Sequence, residues 1–379
     1  MRITTLVPAL AAVAALPMSA SAFEIAGDGW TFAIEPRIQT RAEFASASAA
    51  NGDDDLDIWA SDSDALVTGD DIQAYNFYVR RARLYMKGAS DDGWFFEFTL
   101  RADKIGLESP QSNVSDSIDV HDLYAGKRWT QGEVDHLIAF GLDDWGHIAA
   151  KDSSAKYLLP NTRLTTAVGG INISSVGLDY RFKTDMLNGG LTIAEAPSKE
   201  SAPDDNADVF ISARLATSLK PEWAIKRSGS YLGAEGFGHE AGLEVVMHSL
   251  DGDDSLTAFG VDYLVHYNQL SGLFEAVFTS TDDVDGMVAL AQAGWAVPLA
   301  SGRIVEPAAR LTLLDGDTDD DSPGVLLQEG SADGLYVDLG VNYYINGHAN
   351  KLQAGLQLYT PEEGDGDAVA FRLGHNLEF

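Results

Sequence analysis

The chain has no cysteine, little basic charge and no long apolar run, and each scarcity removes a class of protein. Zero cysteines in 379 residues exclude a disulfide framework and thiol chemistry, so stability must come from backbone ladders and burial. Lys and Arg number 25 against 58 Asp and Glu, a formal net charge of -33. A body that acidic repels polyanions, which argues against nucleic acid as a partner. The eight histidines are scattered without HxxxH or HExxH spacing, which leaves no pattern for a metal centre. Beyond the amino terminus nothing offers the ~18 consecutive apolar residues of a transmembrane helix.

What is present begins with an export signal. Arg2 precedes the apolar run from Leu6 to Leu16, and Ala20-Ser21-Ala22 fits a small-x-small cleavage site. Residues 1–22 are therefore expected to be removed, leaving 23–379 as one domain. An exported chain without helical spans is either soluble outside the cytoplasm or a membrane β-barrel.

Alternation favours the barrel. In the last eleven residues Val369, Phe371, Leu373, Leu377 and Phe379 alternate with Ala370, Arg372, Gly374, Asn376 and Glu378, with His375 breaking the apolar row. A final strand ending on an aromatic carboxyl terminus is what an outer-membrane barrel uses to close its seam, with Phe379 as the assembly signal, although a soluble sandwich could end this way too. Near the other end Trp30, Phe32, Ile34, Ile38 and Phe44 share a face opposite Glu35, Arg37, Gln39, Arg41 and Glu43. That second row is too charged for a dry core and suits a water-filled lumen.

The same reading predicts strands near 30–44, 74–88, 94–103, 118–129, 135–142, 168–183, 189–196, 207–218, 239–250, 255–267, 273–280, 286–297, 303–314, 334–345, 350–360 and 367–379. The fold class is thus all-β, a transmembrane antiparallel up-and-down barrel of about 16 strands. The stretch 225–238 could hide a further strand or be a long periplasmic connection. Short turns such as Asp91-Asp92-Gly93 then alternate with long outer loops at 45–73, 104–117, 143–166 and 315–333, which carry much of the acid. Trp30, Trp94, Trp129, Tyr180, Tyr267, Trp295, Tyr344 and Phe379 fall at short-turn ends, where an interfacial girdle belongs.

The strands carry mixed lumen rows. Candidate pore-lining residues are Arg37, Arg41, Arg81, Arg83, Arg101, Arg214, Arg310, Arg372 and Glu97. For each arginine a wall ion pair competes with a role in a basic track that would lower the barrier for an anion. Arg81 and Arg83, adjacent to the strand of Arg37 and Arg41, are the best candidates for the track.

The run Phe77-Tyr78-Val79-Arg80-Arg81-Ala82-Arg83-Leu84 with Gly88, the stretch Leu339 to Leu352 and the terminal Phe strand resemble the phosphate-selective porin O/P family. The resemblance implies a sixteen-stranded homotrimeric outer-membrane porin whose third outer loop folds into the lumen as a constriction. That position carries over to 143–166, with Lys151, Lys156 and Arg163 as its basic residues. The family's arginine track maps onto Arg81 and Arg83 and, more loosely, Arg37. Where the family tends to lead into this loop with a Gly-Gln-Phe-Lys type of sequence, this chain has Gly141-Leu142-Asp143-Asp144, two carboxylates in place of a cation.

The expected function is passive diffusion of small hydrophilic solutes or inorganic ions, with no catalysis and no cofactor. The alternatives are an anion- or phosphate-preferring channel and a structural or adhesive surface protein. Asp315 to Asp321 and Asp251 to Asp254 offer oxygen ligands for at most weak Ca²⁺ coordination, since neither run keeps the full loop pattern. Expected partners are outer-membrane lipids and the barrel assembly machinery.

Overall fold

A computed structural model describes residues 23–47, 58–59, 66–67, 72–105, 118–146, 173–196, 208–219, 230–249, 255–280, 285–316, 334–361 and 368–378. Sixteen long strands cross the structure: β1 (Trp30–Ala47), β2 (Ile72–Ser90), β3 (Trp94–Ile105), β4 (Asp119–Gln131), β5 (Val134–Trp145), β6 (Ile173–Lys183), β7 (Leu187–Ala196), β8 (Asp208–Leu219), β9 (Phe237–Ser249), β10 (Ser255–Tyr267), β11 (Leu270–Ser280), β12 (Asp285–Trp295), β13 (Ile304–Gly316), β14 (Gly334–Asn346), β15 (Asn350–Pro361) and β16 (Ala368–Glu378). Each pairs antiparallel with its chain neighbours, and β16 pairs back onto β1 from Arg37↔Glu378 to Ala47↔Ala368. The sheet therefore closes on itself. An even strand number is what lets an up-and-down sheet close antiparallel.

Beside the last pair, Phe23–Gly27 folds back on β1 through Asp28 and Gly29, both at positive φ (51° and 75°), as a two-residue hairpin turn demands. Phe23 stands opposite Ile34 and Glu378 opposite Arg37. The amino-terminal arm and β16 thus lie end to end along one edge of β1, and that edge is the seam. The stretch 225–238 contributes no extra strand among its described residues: Ser230–Gly236 is a connection, and β9 starts at Phe237.

Alternation separates two faces. On β1, Arg37, Gln39, Arg41 and Glu43 point inward and are buried, whereas Phe32 and Ile38 point outward and are 43% and 41% exposed. The outward row continues with Phe140, Leu215, Leu243, Phe274, Leu311 and Leu339. An apolar belt of this extent is unsustainable in water and natural in lipid. No described helix is long and apolar enough to cross a membrane; the apolar belt itself is carried by the strands. This is a β-barrel of the bacterial outer membrane.

At the short-turn end the belt carries aromatics. Trp129 stacks on His136 with centroids 5.0 Å apart, and His136 Nδ1 meets the Tyr180 hydroxyl at 2.9 Å. Trp94, Tyr267 and Trp295 are also exposed there. Tyr344, assigned to the girdle from sequence, is instead 1% exposed with its hydroxyl on Glu306. Its parity with Asp338 and Asn342 on β14 turns it inward, and position along the strand says nothing about face. Phe379 lies outside the described residues, as do residues 1–22.

Candidate functional site: the inner wall of the barrel

The wall is built from strand parity modified by two bulges. Pairing of β1 with β2 runs in step up to Gln39↔Arg81 and resumes at Thr40↔Val79. Arg80 is the extra residue. Without the bulge, the consecutive Arg80 and Arg81 would face opposite ways, and one guanidinium would enter lipid at a cost of roughly 2–4 kcal/mol near the midplane. The bulge gives up about one ladder bond, ~1 kcal/mol, so it wins, and both arginines donate to Gln39 Oε1 at 3.3 and 3.2 Å. A second bulge between β3 and β4 skips His121, with Thr99↔Asp122 followed by Leu100↔Val120. His121 is buried, 3.2 Å from Arg101 Nη1 and 3.9 Å from an oxygen of Asp144. Arg80 and His121 were missed in the sequence, where the only signal was an Arg-Arg pair that strict alternation cannot accommodate.

The predicted arginines divide by position. Arg37, Arg83 and Arg101 stand side by side in register on β1, β2 and β3, and Arg80, Arg81 and Arg41 extend this basic sector. Arg37 also donates to Asn376 Oδ1 at 3.3 Å and Tyr85 Oη at 3.2 Å. Glu97, on the same sector, accepts from Tyr124 Oη at 3.1 Å.

Four arginines, Arg41 among them, also tie the wall together. Arg41 and Arg372 both donate to Glu43 Oε1, at 3.2 and 3.1 Å. Arg372 reaches Gln357 Oε1 at 3.1 Å, Gln357 donates to Asp338 Oδ1 at 3.0 Å, and Arg310 donates to Asp338 Oδ2 at 2.9 Å. This chain of contacts crosses the seam from β1 through β16, β15 and β14 to β13. Arg214 on β8 donates to Glu240 Oε1 at 2.9 Å and to both oxygens of Asp262. Gly242 makes room for it, because a Cβ there would lie 2.2 Å from Arg214 Nη2. Arg41, Arg214, Arg310 and Arg372 are thus wall-fixing residues.

Acid lines much of the remaining wall, with Asp122 and Asp179 buried on β4 and β6 and Glu306 and Asp338 on β13 and β14. Glu240, Glu244, Asp262 and Glu275 all turn inward on β9, β10 and β11, eight strands round the ring from the arginines of β1, β2 and β3. In a sixteen-strand ring that is the far side. Arg214 on β8 pairs with two of these four, Glu240 and Asp262.

Sequence placed Asp143 and Asp144 in the third outer loop, but they belong to β5, which continues to Trp145. The extension is held because Trp145 turns inward, buries to 2% and donates from Nε1 to the Ser175 carbonyl on β6 at 2.7 Å. Lys151, Lys156 and Arg163 lie outside the described residues. So do Asp251 to Asp254 and Asp317 to Asp321; among the described residues no group of three His, Cys, Asp or Glu is arranged to hold a metal ion.

A closed barrel, apolar outside and lined with charge inside, has solved counterparts. The fold is that of a porin. Salmonella typhi OmpF, solved in complex with daunomycin, superposes with a TM-score of 0.60 at 15% identity, covering 94% of this chain and 100% of that one. An anion-selective porin from Comamonas acidovorans gives 0.57 at 12% identity, covering 92% and 100%. The outer-membrane channel DcaP of Acinetobacter baumannii gives 0.54 at 12% identity, covering 95% and 100%. No family model matches the sequence, and no curated protein matches it either. At these identities the likeness is one of fold alone.

Proposed function

We propose that the chain, as a mature domain of 23–379 after removal of residues 1–22, is a passive channel for small hydrophilic solutes and inorganic ions. The observation that carries this reading is the inner wall: inward charges of both signs on nearly every strand, with an arginine cluster on β1–β3 and four acids on β9–β11. A dry core could not hold these rows, since each uncompensated buried charge costs several kcal/mol. Mixed charge rows of this kind hold water and hydrated solutes while leaving the passage open to either sign.

One observation favours a preference for anions. Like charges directly opposite on a sheet are destabilising, and the Arg37–Arg83–Arg101 row holds two such pairs, with Glu378 and Asp119 in register at its two ends. Such a row lowers the barrier for a passing anion, which agrees with the RRARL resemblance to the phosphate-selective porins and with the anion-selective porin among the structural counterparts. Assembly as a homotrimer through the outer apolar face, with lipid around it, completes the proposal.

The test is planar-bilayer recording of the detergent-extracted protein in a KCl gradient, with and without phosphate. Stepwise channels with an anion-positive selectivity are expected. A correctly folded protein that forms no channel overturns the porin reading; channels that prefer cations and ignore phosphate overturn only the anion preference.

A further inference from the structure

The connection between β8 and β9 spans 220–236, far longer than its counterparts at the same end, such as Asp91–Gly93 or Asn268–Gln269. Its described part, Ser230 to Gly236, lies inside the ring. Tyr231 N donates to Ser271 Oγ at 3.2 Å, and the Tyr231 ring packs on His266 with centroids 4.6 Å apart. His266 Nε2 meets the Ala234 carbonyl at 2.6 Å, and His348 Nε2 meets the Ser230 carbonyl at 2.9 Å. His266 and Ser271 are inward residues of β10 and β11, whereas His348 sits in the turn between β14 and β15. A single peptide unit, Ser230–Tyr231, thus ties β11 to the turn between β14 and β15.

Three features make this a fixed strap. Leu232 and Gly233 both adopt positive φ, 56° and 74°, and Ala234 N closes the turn on the Tyr231 carbonyl at 3.1 Å. Leucine stays in the left-handed region only where its surroundings over-determine it. Beneath the strap, Glu306, Tyr344 and Lys351 are 0%, 1% and 0% exposed. Glu306 Oε2 accepts from Tyr344 Oη at 2.5 Å and from Asn342 Nδ2 at 3.2 Å, while the Lys351 ammonium stands 5.8 Å from the Tyr344 ring centroid. Opposite charges this deeply buried need their cover in place, since a half-dismantled set leaves a charge unpaired away from water. On its other side the strap exposes Ala234 and Glu235.

We propose that Ser230–Gly236 forms an inner constriction at the short-turn mouth of the barrel and helps set the size limit for permeation, an inference that rests on the channel reading above. The absence of native cysteine makes the test clean. Ala234→Cys carries a single, exposed thiol; full-length protein with this change is recorded in bilayers before and after a bulky charged methanethiosulfonate, with labelling followed by mass. Conductance should match the parent before labelling and fall by roughly a third or more after it, and Glu235→Cys should behave alike. Labelling without a change in conductance at both positions overturns the inference, as does failure of either folded variant to label. A parent that forms no channel overturns the porin reading instead, and is distinguished because it is recorded first.

Discussion

Arg37 and Arg83 are direct register partners across the β1–β2 ladder, two like charges placed where a sheet ordinarily avoids them. Their neighbour Arg101 repeats the arrangement on β3. If this row shapes permeation, Arg37→Ala with Arg83→Ala should move the reversal potential toward cations. Each guanidinium contributes on the order of 1 kcal/mol of attraction to an ion about 4 Å away in water, or roughly fivefold in permeability ratio per residue. An unchanged reversal potential would assign both residues to the wall alone.

Arg214→Ala should do the opposite kind of damage. Glu240 and Asp262 would stay buried beside each other without their cation, and losing one partner of a buried ionic set costs about 3–5 kcal/mol. Urea midpoints and heat-modifiable mobility in detergent would record the loss, with selectivity little altered in whatever folds.

Gly242→Ala tests the same site from the other side. The added Cβ would overlap the Arg214 guanidinium, so the arginine must shift. Destabilisation of about 1–3 kcal/mol, typical of overpacking, is expected in the same urea titration. A variant as stable as the parent would mean that Arg214 has room to relocate.

The terminal Phe379 carries a separate expectation. Its deletion should lower the yield of membrane-assembled protein far more than it alters the conductance of the molecules that do assemble. Quantifying heat-modifiable protein in outer-membrane fractions and recording single channels from the same preparation separates the two effects.

Much of the barrel was legible because one physical rule, alternation of apolar and charged residues, runs through every strand. All sixteen strands lie close to where alternation puts them, and β1 with its inward Arg37, Gln39, Arg41 and Glu43 is the clearest instance. The misreadings share a cause. Alternation fixes parity but not local slips, so Arg80 and His121 were assigned no inward role until the bulges placed them there. It also does not fix where a strand stops: the end of β5 depends on Trp145 reaching Ser175, a contact with a strand that begins twenty-eight residues later. Tyr344 shows the converse, because its distance from the turn suggested a girdle while its parity had already turned it inward. The strap was anticipated only as a further strand or a long connection, since inward folding depends on anchors such as His266 and His348 that are remote in sequence.

The seam on β1 has a temporal consequence. Gln39 on β1 donates to Asn376 on β16 at 2.7 Å, a contact between residues 337 positions apart, so the last ladder cannot form until the whole chain has crossed to the assembling side. Until then β1 and β16 both present unpaired backbone edges, which invite pairing with other chains. Because such long-range pairing is also intrinsically slow, the exposed-edge interval is the stage at which escort of the unclosed sheet matters most, and Arg372 on Glu43 with Asn376 on Gln39 are among the first side-chain contacts to mark its end.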